Sequence, residues 1–133
     1  AMSGTGSLSE PIQQKITRQK GARQLPVTVD TIDLRTEREG YPPPDLVKID
    51  VEGFEADVLQ GAKATLQEKR IGLVVFELKE ALLESIEKTS AEVFKPLLDA
   101  GYSILHLDGE ILAGASLENP VDGDYLACRK QKN

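Results

Sequence analysis

Residues 45–62 read DLVKIDVEGFEADVLQGA, and the apolar rhythm changes once within them. Up to Val51 the apolar side chains fall at 46, 47, 49 and 51, close to the near-continuous pattern of a strand buried on both faces. From Phe54 they recur at 54, 58, 62 and 66, with Leu59 alongside, which marks one face of a helix. Gly61 interrupts that face and predicts a kink or two short helices. Four carboxylates, Asp50, Glu52, Glu55 and Asp57, crowd the junction. Ligands of open α/β sheets bind outside the carboxyl ends of strands, so charge at this junction raises a question of function.

The pattern on either side sets the fold class. Upstream, TEREGYPPPD holds three prolines and reads as a loop, and LPVTVDTIDL reads as a short strand followed by a bend. Residues 3–24 are polar without a clear period, with a possible helix start at Pro11. Downstream, IGLVVFEL is a second buried strand and KEALLESIEK is helical. Thr89 and Glu92 match a capping box, while Pro96 predicts that the helix is bent or starts later. GYSILHL, GEIL and GDYLACRK are the last strands. Strands alternating with helices predict an α/β domain with a mainly parallel sheet, and the terminal hairpin adds an antiparallel strand at an edge.

Composition narrows the function classes. The chain has 133 residues, 40% hydrophobic and 29% charged, enough for one globular domain. Net charge is −6, but residues 1–25 hold Lys15, Arg18, Lys20 and Arg23 against Glu10 alone. The body from residue 26 is therefore more acidic than the total, which argues against a nucleic-acid backbone footprint. Apolar runs such as GLVVF are far too short to span a membrane. A single cysteine, Cys128, excludes an intrachain disulfide and fits a reducing compartment. The expectation is a soluble, cytoplasmic domain. AMSGTGS at the start resembles a cloning remnant joined to native sequence.

Side chains two apart in an extended segment share a face, so Asp50 and Glu52 can lie together just past the first buried strand. Glu77 ends the next strand in the same way. If the two strands are parallel neighbours, three carboxylates line one rim of the sheet. Such a rim can bind a hard cation, accept hydrogen bonds from hydroxyls, or act as a general base. An equally good structural account exists: Glu52 and Glu55 complement the positive start of the following helix, and Gly53 is only the tight turn.

DLVKIDVEGFEADVLQGA followed by GLVVFEL closely resembles the second half of FkbM-type methyltransferases, which use S-adenosylmethionine. The resemblance rests on Lys48, Ile49, Asp50, Glu52, Gly53, Glu55, the VLQGA at 58–62 and a strand ending in Glu77. VTVDTIDL upstream, and AGYSILHL and YLACRK downstream, are similar to further segments of that family, so the likeness spans about residues 27–129. It implies the C-terminal half of a Rossmann-like methyltransferase sheet over 27–133, with 1–26 a tail or a remnant of the preceding region. It also implies O-methylation of a sugar or natural-product hydroxyl. Asp50 is the candidate catalytic carboxylate, with Glu52 and Glu77 as substrate or cation contacts. The family's glycine-rich cofactor turn has no counterpart after a strand here, and SGTGS at 3–7 reads as a loop. The chain thus reads as truncated, inactive by itself, and without a cofactor of its own. Two alternatives are a non-catalytic assembly module that self-associates as a homodimer through a sheet edge, and a metal-dependent hydrolase using the acidic rim.

The remaining candidates read as structural. His106, the one histidine, sits in an apolar strand with no nucleophile in an obvious motif beside it. Cys128 lies in the last strand without a second cysteine. Tyr102 and Tyr125 read as core residues with solvated hydroxyls. Lys48, in a strand that looks buried, either snorkels at an edge or pairs with a carboxylate.

Overall fold

Four strands form one sheet in the order β1-β2-β4-β3, where β1 is Leu46–Ile49, β2 Leu73–Leu78, β3 Tyr102–His106 and β4 Gly123–Arg129. The structure, a computed structural model, describes residues 23–68, 70–108 and 110–130. The helix start expected at Pro11 and the SGTGS loop lie outside them. Only β1 and β2 are parallel, while β4 runs antiparallel to both β2 and β3. The sheet is therefore mixed rather than mainly parallel. The last strand inserts between β2 and β3 instead of adding an edge, so two of the three pairings are antiparallel. GEIL contributes one isolated bridge, Leu105 to Ile111, and no strand.

Between β1 and β2 run α1 (Glu55–Gln60) and α2 (Lys63–Gln67), separated at Gly61 as the glycine predicted. The glycine is required by close approach as well: a Cβ there would come within 2.9 Å of Thr31 Cγ2. After β2 come α3 (Glu80–Ser85) and α4 (Ser90–Asp99), and α5 (Ala115–Glu118) precedes β4. Thr89 caps α4 by accepting the Glu92 N–H at 3.3 Å. Pro96 is carried inside that helix, which neither starts later nor stops early, and its ring is buried in the core.

Burial alternates along β2 and β4, and one face of the sheet takes the helices. Val74, Phe76 and Leu78 of β2, Tyr125 and Ala127 of β4, and Ile49 of β1 pack there with Ala56, Leu59, Leu66, Val93, Phe94 and Leu97. Phe76 stacks on Tyr125 with centroids 5.8 Å apart, and Phe94 meets both rings edge-on at 6.2 and 5.9 Å. Each such contact is worth about 1 kcal/mol beyond the area it buries. The opposite face, with Leu73, Val75, Leu105 and Leu126, is only half-buried among the described residues. The strands are thus not buried on both faces as their apolar runs suggested, and among the described residues β1 is an edge strand, with Leu46 and Lys48 exposed.

The segment read as strand and bend, VTVDTIDL, holds one bridge residue at Val29 and then turns helical. A π-helical turn, Leu34–Arg38, stands where a loop was expected. Asp33 explains it. Its carboxylate accepts the Ala64 and Thr65 N–H groups, both at 2.9 Å, and the Thr65 hydroxyl at 2.7 Å. Buried Thr36 lies 2.7 Å from that same hydroxyl and also reaches the Ile32 carbonyl at 3.1 Å. Asp33 therefore satisfies the open start of α2 from a distant part of the chain, and the π turn is pinned to that helix. The tyrosines are core residues as expected, but their hydroxyls bond to backbone rather than standing in water alone. Tyr102 and Tyr125 are buried and donate their hydroxyls to the carbonyls of Ile71 and Val121. Burial raises both phenols above their ordinary value. Among the described residues, no helix is long and apolar enough to cross a membrane.

Candidate functional site

Parallel pairing of β1 with β2 sets the site. Ile49 is opposite Phe76, so Asp50 and Glu77 each stand one residue further along neighbouring strands. Asp50, Glu52, Gly53, Glu55, Glu77, Lys79 and Leu82 line a recess of about 250 Å³ at that end of the sheet. All three carboxylates singled out in the sequence meet there, although Asp50 and Glu52 get there by a different route. The chain is no longer extended at Glu52, which has φ +48, followed by Gly53 at +106. Phe54 N–H bonds back to the Val51 carbonyl at 3.3 Å, closing a tight turn whose two central residues both have positive φ. For Glu52 this conformation costs about 1–2 kcal/mol. Gly53 is needed on two counts, because a Cβ would also sit 3.3 Å from the Leu82 carbonyl and 3.2 Å from Ile86 Cδ1.

Charge at the rim divides into bound and free groups. Asp50 and Glu52 are exposed and form no hydrogen bond or ion pair with other described residues. Glu77 pairs with Lys79, Nζ to Oε1, at 2.9 Å. That contact, with Glu52 and Asp50 adding at longer range, holds the Lys79 ammonium above its ordinary value. The ion pair is solvated and contributes little stability. Its effect is local: one fixed cation sits among the carboxylates. Lys79 escaped the sequence reading, although its place two residues past Glu77 would have put it on the same side of the strand.

Glu55 was read as a helix-start carboxylate and is more than that. It is buried, 3% exposed, at the first position of α1, with both carboxylate oxygens 3.1 Å from the Gly53 nitrogen. Burial raises its pKa, opposed by the backbone N–H groups of Gly53, Val51 and Glu55 itself, while the charge of Asp50 adds to the rise. Desolvation prevails over the hydrogen bonds.

None of the other candidates lines the recess. His106 packs edge-on to Tyr125 at 5.1 Å and approaches Asp108 through Nδ1 at 3.4 Å. Cys128 is half-buried on the open face of the sheet, and Lys48 is exposed on the edge strand. Among the described residues no group of three or more His, Cys, Asp or Glu side chains is placed to hold a metal ion.

Comparison with protein families returned one described as "Methyltransferase FkbM domain", matching residues 2–104. The chain belongs to the FkbM methyltransferase family. The match takes in residues 2–26, which the sequence reading left outside the domain, and stops within β3, so β4 lies beyond it. Searches of curated proteins and of solved structures returned no match.

FkbM methyltransferases generally use S-adenosylmethionine, and the residues lining this recess do not fit that cofactor as a whole. A nucleoside needs a glycine turn open to close approach and an apolar slot for its base. The one glycine of the recess faces Leu82 and Ile86, and its N–H is already taken by Glu55. Leu82 is the only apolar side chain lining the recess.

Proposed function

We propose that the Asp50 rim is the acceptor side of an S-adenosylmethionine-dependent O-methyltransferase, taking a hydroxyl of a sugar or related natural product. The observation that carries this is the meeting of Asp50, Glu52 and Glu77 beyond two adjacent parallel strands of an FkbM-family chain. Free carboxylates accept hydrogen bonds from hydroxyls, and their orientation sets which hydroxyl faces the methyl donor. Asp50 is the group that takes the proton leaving that hydroxyl, and Glu52 and Glu77 hold its neighbours. Lys79 keeps Glu77 in place and offsets part of the acidic charge. The chain alone is expected not to bind S-adenosylmethionine usefully, because the glycine turn of the rim is closed to it.

Amide shifts recorded by NMR during titration with simple sugars test the acceptor site. Changes confined to Asp50–Gly53, Glu77 and Lys79 are expected, and changes elsewhere, or none, would overturn the assignment. Calorimetry with S-adenosylmethionine tests the second part, for which saturable micromolar binding is the contrary result. A second reading is self-association along β1, since no strand among the described residues pairs with its outer edge and Leu46 is 56% exposed there. Light scattering at two concentrations decides it, a monomer at both being the negative outcome.

A further inference from the structure

We propose that Glu55 is a positioning residue, a buried brace that holds the turn from Val51 to Phe54 so that Asp50 and Glu52 stay on the rim. Three observations carry this. Glu55 is 3% exposed and its carboxylate forms no ion pair with another described residue. Both of its oxygens lie 3.1 Å from the Gly53 nitrogen, two residues back, so its hydrogen bonds run toward the turn. The turn is closed by one backbone bond among the described residues, Phe54 N–H to the Val51 carbonyl at 3.3 Å, while Glu52 sits at φ +48. A strained conformation persists only where the surroundings over-determine it.

The brace fixes a direction as well as a shape. Gly53 is clamped between Glu55 on one side and Leu82 and Ile86 on the other. With Gly53 fixed and Ile49 held in the core at the end of β1, the three residues between them have little freedom. Asp50 and Glu52 are two of those three. Their carboxylates reach the recess because the backbone beneath them is fixed, since neither makes a side-chain bond of its own to another described residue. Glu55 thus acts on the reacting groups through the backbone.

This inference rests on the reading of the rim as the acceptor site, but its test does not depend on methyl transfer. The experiment is NMR on the whole chain with Glu55→Ala and Glu55→Gln. In the alanine variant Gly53 amide exchange is expected to quicken about tenfold, the loss of one buried hydrogen bond. Glu52 is expected to leave the positive-φ region, and the contact between Gly53 and the Ile86 methyl to fade. Amides of α1 from Val58 to Gln60 and of β2 should keep their protection, which separates a brace from a general stabiliser. Glu55→Gln retains one oxygen for the Gly53 N–H and is expected to restore the Glu52 conformation. Should Glu55→Ala fail to fold, wild type and Glu55→Gln still decide the matter. The pH-dependent shift of the Gly53 amide must carry the ionisation of Glu55 in the first and lose that step in the second, leaving only the steps due to Asp50 and Glu52. A Glu52 that stays at positive φ in a folded alanine variant overturns the proposal, as does a Gly53 shift indifferent to Glu55.

Discussion

Replacing Asp33 with alanine asks whether one side chain outside the sheet holds the helical layer together. Asp33 accepts two backbone N–H groups of α2 at 2.9 Å and the Thr65 hydroxyl at 2.7 Å. Loss of a cap of this kind costs about 1 kcal/mol. Thr65 is fully buried, so water cannot replace the acceptor at its N–H, and a buried orphan adds about 1–3 kcal/mol. The Thr65 hydroxyl can turn toward Thr36, 2.7 Å away, which recovers part of the loss. The net expectation is about 3 kcal/mol, a large share of a total stability of about 5–15 kcal/mol. Urea unfolding measures it: the midpoint should fall while the slope stays unchanged, because the same surface is exposed. Asp33→Asn keeps an oxygen for Thr65 but turns an amide N–H toward one donor, so it should lie between. A loss below about 1 kcal/mol for the alanine variant would refute the pinning of the π turn to α2.

Three further outcomes follow from the same geometry. Asp50→Asn removes charge from an exposed side chain with no bond to other described residues, so stability should change by less than about 0.5 kcal/mol while the sugar-induced shifts at the rim disappear. A loss of several kcal/mol would make Asp50 a structural cap instead. Gly53→Ala places a Cβ at φ +106 against Leu82 and Ile86, so unfolding should become easier by about 2 kcal/mol, and an unchanged urea midpoint would count against the turn. For Glu55 the folded pKa lies above the ordinary value of 4.5, so the fold binds this proton more tightly than the unfolded chain does. Its contribution is fully present below the unfolded value and is lost as pH rises through the folded value. The stability of wild type minus that of Glu55→Gln should therefore decrease across that window, and a difference that rises or stays level contradicts it.

The junction at 45–62 was legible because strand and helix carry different apolar periods, and β1, the break at Gly61 and the start of α1 all follow from that change. The three strands beyond it were legible as strands, and the last pairing as antiparallel, but the strand order was not. Nothing in GDYLACRK marks it for the place between β2 and β3, since strand order is decided by which apolar faces fit across the sheet. Here Tyr125 stacks on Phe76 and Ala127 lies opposite Val74 and Ile104. The π turn was hidden for a related reason. TIDLRTERE has weak helical signals, and the interaction that winds it belongs to Ala64 and Thr65, about thirty positions later. Local propensity cannot register a cap supplied from that distance.

At the site, identity and place were readable but role was not. Asp50, Glu52 and Glu55 are all carboxylates within six residues, and the sequence reads Asp50 and Glu52 as ligand contacts but Glu52 and Glu55 equally as helix-start charges. Burial separates them. Asp50 and Glu52 remain exposed and available, whereas Glu55 is buried and committed to Gly53. That division depends on the positive φ of Glu52, which turns the chain so that Glu52 reaches the recess and Glu55 enters the interior. An extended chain would have placed Asp50 and Glu52 together by alternation and left Glu55 on the other face. The turn reaches the first result by another path and carries Glu55 into the interior, where its carboxylate meets the Gly53 N–H. The helix-start account is therefore too small for Glu55, and the ligand-contact account of Asp50 and Glu52 is the part that the sugar titration decides.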